Sequence, residues 1–134
     1  LHKGAFEELL RFRNDYALDL PDGKLLPFGQ TLCMVPEEMP DLAGLKVLRA
    51  GLELGQVLKN RFEPAHALAL WLRSCSNTQE FDADSKEITG YIHGDVVPSD
   101  RKGWCLVTAG GYSIGWGKGD GRVLKNHYPK GLRR

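Results

Sequence analysis

Apolar residues recur every three or four positions near the start of this chain, a spacing typical of a helix with one buried face. The pattern predicts a helix over residues 4–19 that ends before Pro21. Its buried stripe includes Phe6, Leu9 and Leu10. The first element is therefore expected to be an amphipathic helix.

Two later stretches follow the same period. Residues 64–75 are predicted to form a helix whose buried stripe includes Trp71. A third helix is predicted to begin near Asp84, with Glu87 three residues on as in a capping box, and to stop at Gly94.

Short apolar runs predict strands between the helices. Residues 24–28 and 31–35 read as two short strands around a glycine. Residues 45–59 carry apolar pairs between glycines and predict two or three short strands with tight bends. Residues 76–82 are mostly polar and are predicted to be a linker.

The apolar period changes to two after residue 103, which indicates strands. Residues 104–109 and 112–117 flank a Gly-Gly pair and predict a β-hairpin, and residues 120–121 predict a second turn. Ile114 and Trp116 are expected to share one face of the second strand. On its opposite face, small residues such as Gly115 would leave room for another backbone or a ligand.

The net charge of +1 conceals an uneven distribution. Residues 1–100 hold ten basic and sixteen acidic residues, a net charge of −6. Residues 101–134 hold eight basic residues and one acidic residue, a net charge of +7. Such an asymmetry is typical of a protein whose one end meets a polyanion. A basic tail that merely balances an acidic body is the alternative.

Catalytic and metal-binding motifs do not emerge from the spacing. The four histidines have no metal-ligand spacing with each other or with the three cysteines, so no metal site is predicted. The glycine run over residues 111–121 matches neither a phosphate-binding loop nor a dinucleotide fingerprint. Cys105 alternates within a predicted strand and reads as a packed thiol rather than a nucleophile. Three widely spaced cysteines also suit a reducing compartment.

The basic end combines cations with side chains that hydrogen-bond or stack. Lysine and arginine neutralise phosphates, while planar side chains and amides meet exposed bases. An ordered segment is favoured over a solvated tail, because a Tyr-Pro step and a leucine stand among the charges. For the three uncharged candidates, a structural role is the alternative to base contact. The predicted RNA-contact residues are Lys118, Arg122, Lys125, Asn126, His127, Tyr128, Lys130 and Arg133.

The ending KGWCLVTAGGYSIGWGKGDGRVLKNHYPKGLRR closely resembles the C-terminal end of bacterial RsmF-type ribosomal RNA cytosine-C5 methyltransferases, of the Nol/Nop/Sun family. Residues 34–70 resemble the region between the catalytic domain and the last module of those enzymes. The resemblance implies an α+β chain in two small units. Residues 1–78 would form a connecting domain of helices and short strands, and residues 79–134 a PUA-like β-barrel that binds RNA.

The resemblance also implies what this chain does. It would be the non-catalytic, RNA-binding C-terminal region of an S-adenosylmethionine-dependent 5-methylcytosine methyltransferase. The cofactor and two catalytic cysteines would belong to a separate catalytic domain, so no cofactor is expected here and the cysteines of this chain inherit no such role. Expected partners are small-subunit ribosomal RNA and the parent's own catalytic domain. The expected protein is a cytoplasmic monomer with no membrane contact.

Two other classes of function stay open. A protein-interaction module would dock its basic end on an acidic protein surface and would bind RNA no tighter than a weakly basic control. A small hydrolase would need a pocket with a perturbed carboxylate or thiol, and the sequence nominates none.

Overall fold

The computed structural model describes residues 4–37 and 51–134. The chain divides into two compact units, Leu1–Leu68 and Ala69–Arg134. Both contain helices and a sheet, so the predicted α+β class is confirmed. The predicted boundary near residue 78 stays a prediction, because compactness alone does not define a functional domain. Within the described ranges, no helix is long and apolar enough to cross a membrane.

The first unit contains a four-stranded antiparallel sheet in the order β1-β2-β3-β4. The strands predicted at residues 24–28 and 31–35 are confirmed with their bounds, whereas the predicted strands before residue 51 lie outside the described residues. The elements are α1 (Gly4–Asp15), β1 (Lys24–Phe28), β2 (Thr31–Val35), β3 (Leu52–Leu58), β4 (Arg61–Pro64) and a short helix α2 (His66–Trp71), which crosses the unit boundary.

Helix α1 ends at Asp15, four residues earlier than predicted. Ala17 has a φ of 52°, and its amide donates to the Asn14 carbonyl. The Leu18 amide donates to the Arg13 carbonyl. This pair of bonds is a Schellman motif, which usually places glycine at the left-handed position. Because alanine stands there, no sequence signal marked the stop.

The buried stripe of α1 also differs from the prediction. Leu9 and Phe12 are buried, and the Phe12 ring lies 5.0 Å from the Phe62 ring of β4. Phe6 and Leu10 are 37% and 40% exposed, so their predicted burial is wrong. Apolar residues occur on more than one side of this helix, and the sheet decides which side is covered.

Helix α2 is much shorter than the predicted helix over residues 64–75. Pro64 ends strand β4 instead of opening the helix, because it pairs with Gly55 of β3. Trp71 is 42% exposed, and its predicted burial is wrong. The turn into β4 has Asn60 with a φ of 57°, a conformation that asparagine tolerates better than most residues.

The second unit contains a five-stranded mixed sheet in the order β5-β7-β8-β9-β6. One helix, α3, packs on one face of this sheet. The elements are β5 (Thr78–Phe81), α3 (Lys86–His93), β6 (Val97–Pro98), β7 (Lys102–Ala109), β8 (Tyr112–Asp120), β9 (Val123–Asn126) and a 3-10 helix (Lys130–Leu132).

Helix α3 confirms the third predicted helix, with its start shifted slightly. The N-cap is Ser85, whose side chain accepts a hydrogen bond of 3.2 Å from the Ile88 amide. Gly94 ends the helix with a φ of 110°. Ile88 and Tyr91 are buried in one cluster with strand residues such as Val107, so this helix supplies two of the six buried residues of that cluster.

The predicted linker over residues 76–82 is wrong, because part of it forms β5. This strand pairs with β7 in parallel, with Thr78 opposite Leu106 and Phe81 opposite Ala109. Ahead of it, the Asn77 side chain donates to the Lys102 carbonyl at 2.8 Å. The residues of β5 are mostly polar, and their partner strand lies more than twenty positions further along the chain.

Both predicted hairpin turns are confirmed: β7 and β8 flank the Gly-Gly turn, and β8 and β9 flank the second. The prediction that Ile114 and Trp116 share one face of β8 is wrong. A bulge shifts the register between Val107 and Thr108, so the side chains on either side of it lose their simple alternation. Ile114 packs with the cluster that contains Val107, whereas Trp116 packs against Trp104.

The room beside the glycines of β8 is filled by the protein itself. A Cβ atom at Gly115 would collide with the Tyr91 hydroxyl, which donates a 2.8 Å hydrogen bond to the Trp116 carbonyl. A Cβ at Gly117 would meet the Leu124 side chain. These glycines therefore allow α3 and β9 to approach β8 closely, and they leave no space for a ligand.

Candidate nucleic-acid interface

The register of β7, β8 and β9 places three side chains in one row across the sheet, those of Trp104, Lys118 and Lys125. Trp104 pairs with Lys118, and Lys118 pairs with Lys125. Directly paired residues point to the same face of a sheet, so the two lysines stand side by side. Both are exposed, and the Lys118 ammonium lies 5.2 Å from the centre of the Trp104 ring.

The turn between β8 and β9 places further cations at the same end of the sheet. The Asp120 carboxylate accepts hydrogen bonds from the amides of Arg122 and Val123 at 2.9 and 3.0 Å. These bonds lower the pKa of Asp120 and fix the turn that carries the exposed Arg122. Lys102 pairs with Asp120 across the hairpin, so the start of β7 reaches this end too.

Arg101 and Lys102 are two exposed cations at this end that motif reasoning did not nominate. The Arg101 carbonyl accepts a hydrogen bond from the Gly121 amide. Counting back from the predicted Gly-Gly turn would have placed residue 102 opposite residue 119, one position from the observed partner Asp120, because the bulge shifts the register by one. The pairing of β7 with β8, rather than the composition of the last segment, was the signal that could have identified these two cations.

The cations at this end have no carboxylate partners within the described ranges. The salt bridge within the described ranges joins Arg11 to Glu8 at 3.1 Å and lies in the first unit. Lys118, Arg122 and Lys125 take part in none. Among the described residues, this end of the second unit therefore has an excess of positive charge and no ion pair at salt-bridge distance, although Asp120 lies opposite Lys102.

Asn126 has a structural role. Its amide nitrogen donates to the carbonyls of Tyr91 and Asp95, each at 2.8 Å. Its side-chain oxygen accepts from the Tyr128 amide at 2.8 Å and from Arg133 at 3.4 Å. Asn126 thus ties the end of β9 to the C-terminus of α3.

Arg133 is also built into the fold. Its Nε donates to the Tyr128 carbonyl at 3.2 Å, and its side chain covers Gly94 so closely that a Cβ atom at Gly94 would collide with it. A guanidinium at the C-terminal end of α3 interacts favourably with the helix dipole. Next to it, His93 Nδ1 lies 2.8 Å from the Arg134 carbonyl oxygen.

The two predicted base-stacking residues pack on aromatic rings of the protein. The Tyr128 ring lies 5.3 Å from the ring of Tyr91, and the His127 ring lies 4.5 Å from that of Trp104. Both side chains are half-buried. Lys130, by contrast, is exposed at the start of the 3-10 helix. The predicted residues therefore divide into exposed cations and side chains that hold the final segment in place.

A carboxylate is built into the opposite, Gly-Gly end of the hairpin. Residues 79–100 hold six acidic residues and one basic residue, a net charge of −5, but they are spread along the unit, since the last of them, Asp100, directly precedes the basic end. Glu80 lies beside the Gly-Gly turn and accepts hydrogen bonds from the Thr108 hydroxyl at 2.7 Å and the Gly111 amide at 2.9 Å. These bonds hold the pKa of its carboxyl below the ordinary value.

The charge of the second unit is thus uneven along the β7–β8 hairpin. Lys102 and Ala109 are seven positions apart, a distance of about 23 Å at the usual rise of a strand. Cations outnumber carboxylates such as that of Asp120 at one hairpin end, and Glu80 lies at the other. Residues 1–78 hold nine basic and ten acidic residues, so most of the acidic excess of the first hundred residues falls after residue 78.

The thiols and the glycine run offer no reactive centre. Burial raises the pKa of the Cys105 thiol to about 12, so the protonated form dominates at neutral pH. Burial likewise raises the pKa of Cys75. The glycine run over residues 111–121 belongs to strand β8 and its flanking turns, and it leads into strand β9 rather than opening a helix. In the described residues, no three His, Cys, Asp or Glu side chains could together hold a metal ion.

Comparison with known proteins identifies both parts of the chain. The model of the RsmF rRNA methyltransferase first C-terminal domain matches residues 11–72, and that of the methyltransferase RsmF PUA domain matches residues 78–134. The second unit, a mixed sheet with one helix packed on it, thus has a PUA-like fold of the kind found in modular methyltransferases.

The chain belongs to the RsmF family of ribosomal RNA methyltransferases and contains two of that family's C-terminal domains. It is 27% identical over 128 residues to Ribosomal RNA small subunit methyltransferase F of Shewanella oneidensis, which covers 90% of this chain and 26% of that protein. The protein of the same name from Shewanella piezotolerans is 33% identical over 104 residues, 74% of this chain and 21% of that protein. The chain spans about a quarter of the length of these curated relatives.

Proposed function

We propose that this chain is the RNA-binding, non-catalytic C-terminal region of a ribosomal RNA methyltransferase. It holds small-subunit ribosomal RNA so that a cytosine reaches a catalytic domain elsewhere in the parent protein. We assign S-adenosylmethionine to that catalytic domain; in the part of this chain that the structure describes, the glycine run over residues 111–121 leads into a strand and does not open a helix. The reduced cysteines suit a cytoplasmic protein, and a monomer remains the expected state.

The observation that carries this proposal is the positive surface without carboxylate partners at the β8–β9 end of the described second unit. Lys118, Arg122, Lys125 and Lys130 are its proposed phosphate contacts. Cations without partners repel one another, and a polyanion relieves that repulsion. A family relationship to ribosomal RNA methyltransferases supports RNA as the polyanion.

We propose that the other four predicted contact residues act mainly by holding the final segment in place. Asn126 and Arg133 lock the final segment on α3, and the rings of His127 and Tyr128 pack on Trp104 and Tyr91. Because these aromatic rings are partly covered, phosphate contacts and RNA shape supply most of the binding, rather than stacking on splayed bases.

The test is fluorescence anisotropy of the chain against a labelled fragment of small-subunit ribosomal RNA across a salt series. Four phosphate contacts predict a slope of log affinity against log salt of about −3 to −4. Replacing Lys118, Arg122, Lys125 and Lys130 with Gln should flatten the slope and leave the thermal unfolding cooperative.

A matched control replaces Lys24, Lys59, Arg61 and Lys86 with Gln, since these are also three lysines and one arginine, all exposed and outside the positive surface. Their loss should leave the slope nearly unchanged. Equal effects of the two sets would contradict a localised RNA site. RNA binding no tighter than that of a weakly basic control protein would favour a protein partner for the basic end.

A further inference from the structure

Lys118 and Lys125 form a pair of like charges directly opposite each other on β8 and β9. We call these two residues the lysine pair. Facing like charges destabilise a sheet, and a protein can avoid them by changing either residue. Within the described residues, no carboxylate lies within salt-bridge distance of either lysine. The strand pairing therefore keeps an electrostatic cost that no ion pair among the described residues offsets.

The position of Lys118 shows how the repulsion is reduced in the free protein. Its ammonium lies over the ring of Trp104 on β7, the strand on the side away from Lys125. A cation over an indole face is attracted to it. Trp104 is itself held by the rings of Trp116 and His127. Lys118 thus leans away from its like-charged neighbour, which leaves space between the two ammonium groups.

From this arrangement we infer that the lysine pair is a single-phosphate subsite, in which one backbone phosphodiester of the RNA accepts hydrogen bonds from both ammonium groups. This inference rests on the proposed RNA-binding function and specifies one contact within it. A phosphodiester has two non-bridging oxygens, so one oxygen can accept a hydrogen bond from each lysine. Binding offsets the repulsion between the lysines, whereas Arg122 and Lys130, which are not paired with each other, contact separate phosphates.

The number of phosphates neutralised can be counted from salt dependence, because each adds about 0.7 to 0.9 to the slope of log affinity against log salt. The experiment compares Lys118→Gln, Lys125→Gln and the double variant in the full chain, with a labelled small-subunit ribosomal RNA hairpin as the probe. A shared phosphate predicts that each single variant keeps most of the slope and that the double variant loses about one contact's worth. Two separate phosphates predict a loss of about two.

The matched control is the double variant Arg122→Gln with Lys130→Gln, which removes the same charge from two exposed cations of the second unit outside the lysine pair. It should lower the slope by about two contacts' worth, or roughly twice the effect of the lysine-pair variant. If the two double variants lower the slope equally, the shared subsite is refuted while RNA binding stands. If the unmodified chain does not bind the hairpin even at low salt, the proposed function fails together with the subsite.

A second readout needs no RNA. In low salt, Lys125→Gln should raise Tm by about 1–2 °C, because it removes the repulsion and leaves the contact between Lys118 and Trp104 in place. The gain should disappear near 1 M salt, where the Debye length is about 3 Å. A fall in Tm after Lys125→Gln in low salt would show that the two charges do not oppose each other and would overturn the inference.

Discussion

At the scale of single residues, the positive end of the second unit depends on side chains that are not themselves exposed. Asn126 uses both amide protons and its oxygen in bonds to backbone or Arg133. Composition alone could place Asn126 near an RNA site, but it could not distinguish a base contact from a backbone anchor. That distinction depends on α3, which lies more than thirty residues earlier in the chain.

Asn126→Ala should lower the free energy of unfolding by about 2–3 kcal/mol, because it leaves several half-buried backbone groups without partners. Denaturant unfolding followed by circular dichroism measures this change. Asn14→Ala on the exposed side of α1 is the control and should change stability by less than about 0.5 kcal/mol. Equal effects at the two positions would argue against the anchoring role.

Glu80 gives a prediction about pH. Hydrogen bonds from Thr108 and Gly111 lower the pKa of its carboxyl below 4.5, so the folded state favours the ionised form. The resulting stabilisation is present above pH 4.5 and is lost as the pH falls through the folded-state pKa. Glu80→Gln keeps an acceptor oxygen but no charge. Its Tm deficit relative to the unmodified chain should shrink as the pH is lowered from 6 to about 3.

A Tm difference that stays constant over that pH range would contradict the charge-assisted role of Glu80. Glu87→Gln provides a comparison, since that carboxylate lies in the first turn of α3 rather than at the hairpin turn. Its removal tests the helix dipole alone.

At the scale of elements, the sequence predicted correctly those helices and strands that are marked by residues close together in the chain. The β7–β8 hairpin, α3 and the β1–β2 pair are each marked by neighbouring residues, and each was found. Strand β5 was missed because its pairing with β7 is distant and its residues are mostly polar. The end of α1 was missed because Ala17 has a left-handed backbone conformation. At the end of a helix this conformation is usually adopted by glycine, and only a glycine would have marked it in the sequence.

The contact between α3 and β8 supports a prediction of its own. Gly115→Ala should cost about 1–3 kcal/mol, because the new methyl group collides with the Tyr91 hydroxyl. In a Tyr91→Phe background the cost of Gly115→Ala should be smaller, since the colliding atom is gone. A double-mutant cycle of unfolding free energies measures the coupling between the two sites.

Gly131→Ala is the control for that cycle, because no heavy atom lies within 4 Å of a Cβ atom built there. It should have little effect. Strict additivity of Gly115→Ala and Tyr91→Phe would show that the collision is relieved in some other way.

At the scale of the whole molecule, the second unit gathers its cations at one end of the β7–β8 hairpin, and we expect this polarity to orient the proposed RNA partner. We expect RNA to contact the end with the lysine pair and to avoid the end with Glu80. Reaction of exposed lysines with an acylating reagent, read by mass spectrometry, tests this orientation. RNA should protect Lys118, Lys125 and Lys130, whereas Lys86 and Lys59 should react equally with and without it.

The parallel pairing of β5 with β7 has a kinetic consequence. The β7–β8 hairpin closes across a two-residue turn, whereas β5 reaches β7 only after a connection of about twenty residues has been closed. Folding should therefore start in the hairpin, and β5 should join late. Substitutions in β7 and β8 should slow refolding, and substitutions in β5 should mainly accelerate unfolding. The last strand to dock is also the one that carries Glu80, so the Gly-Gly end of the hairpin takes its final shape after the frame that supports the cations.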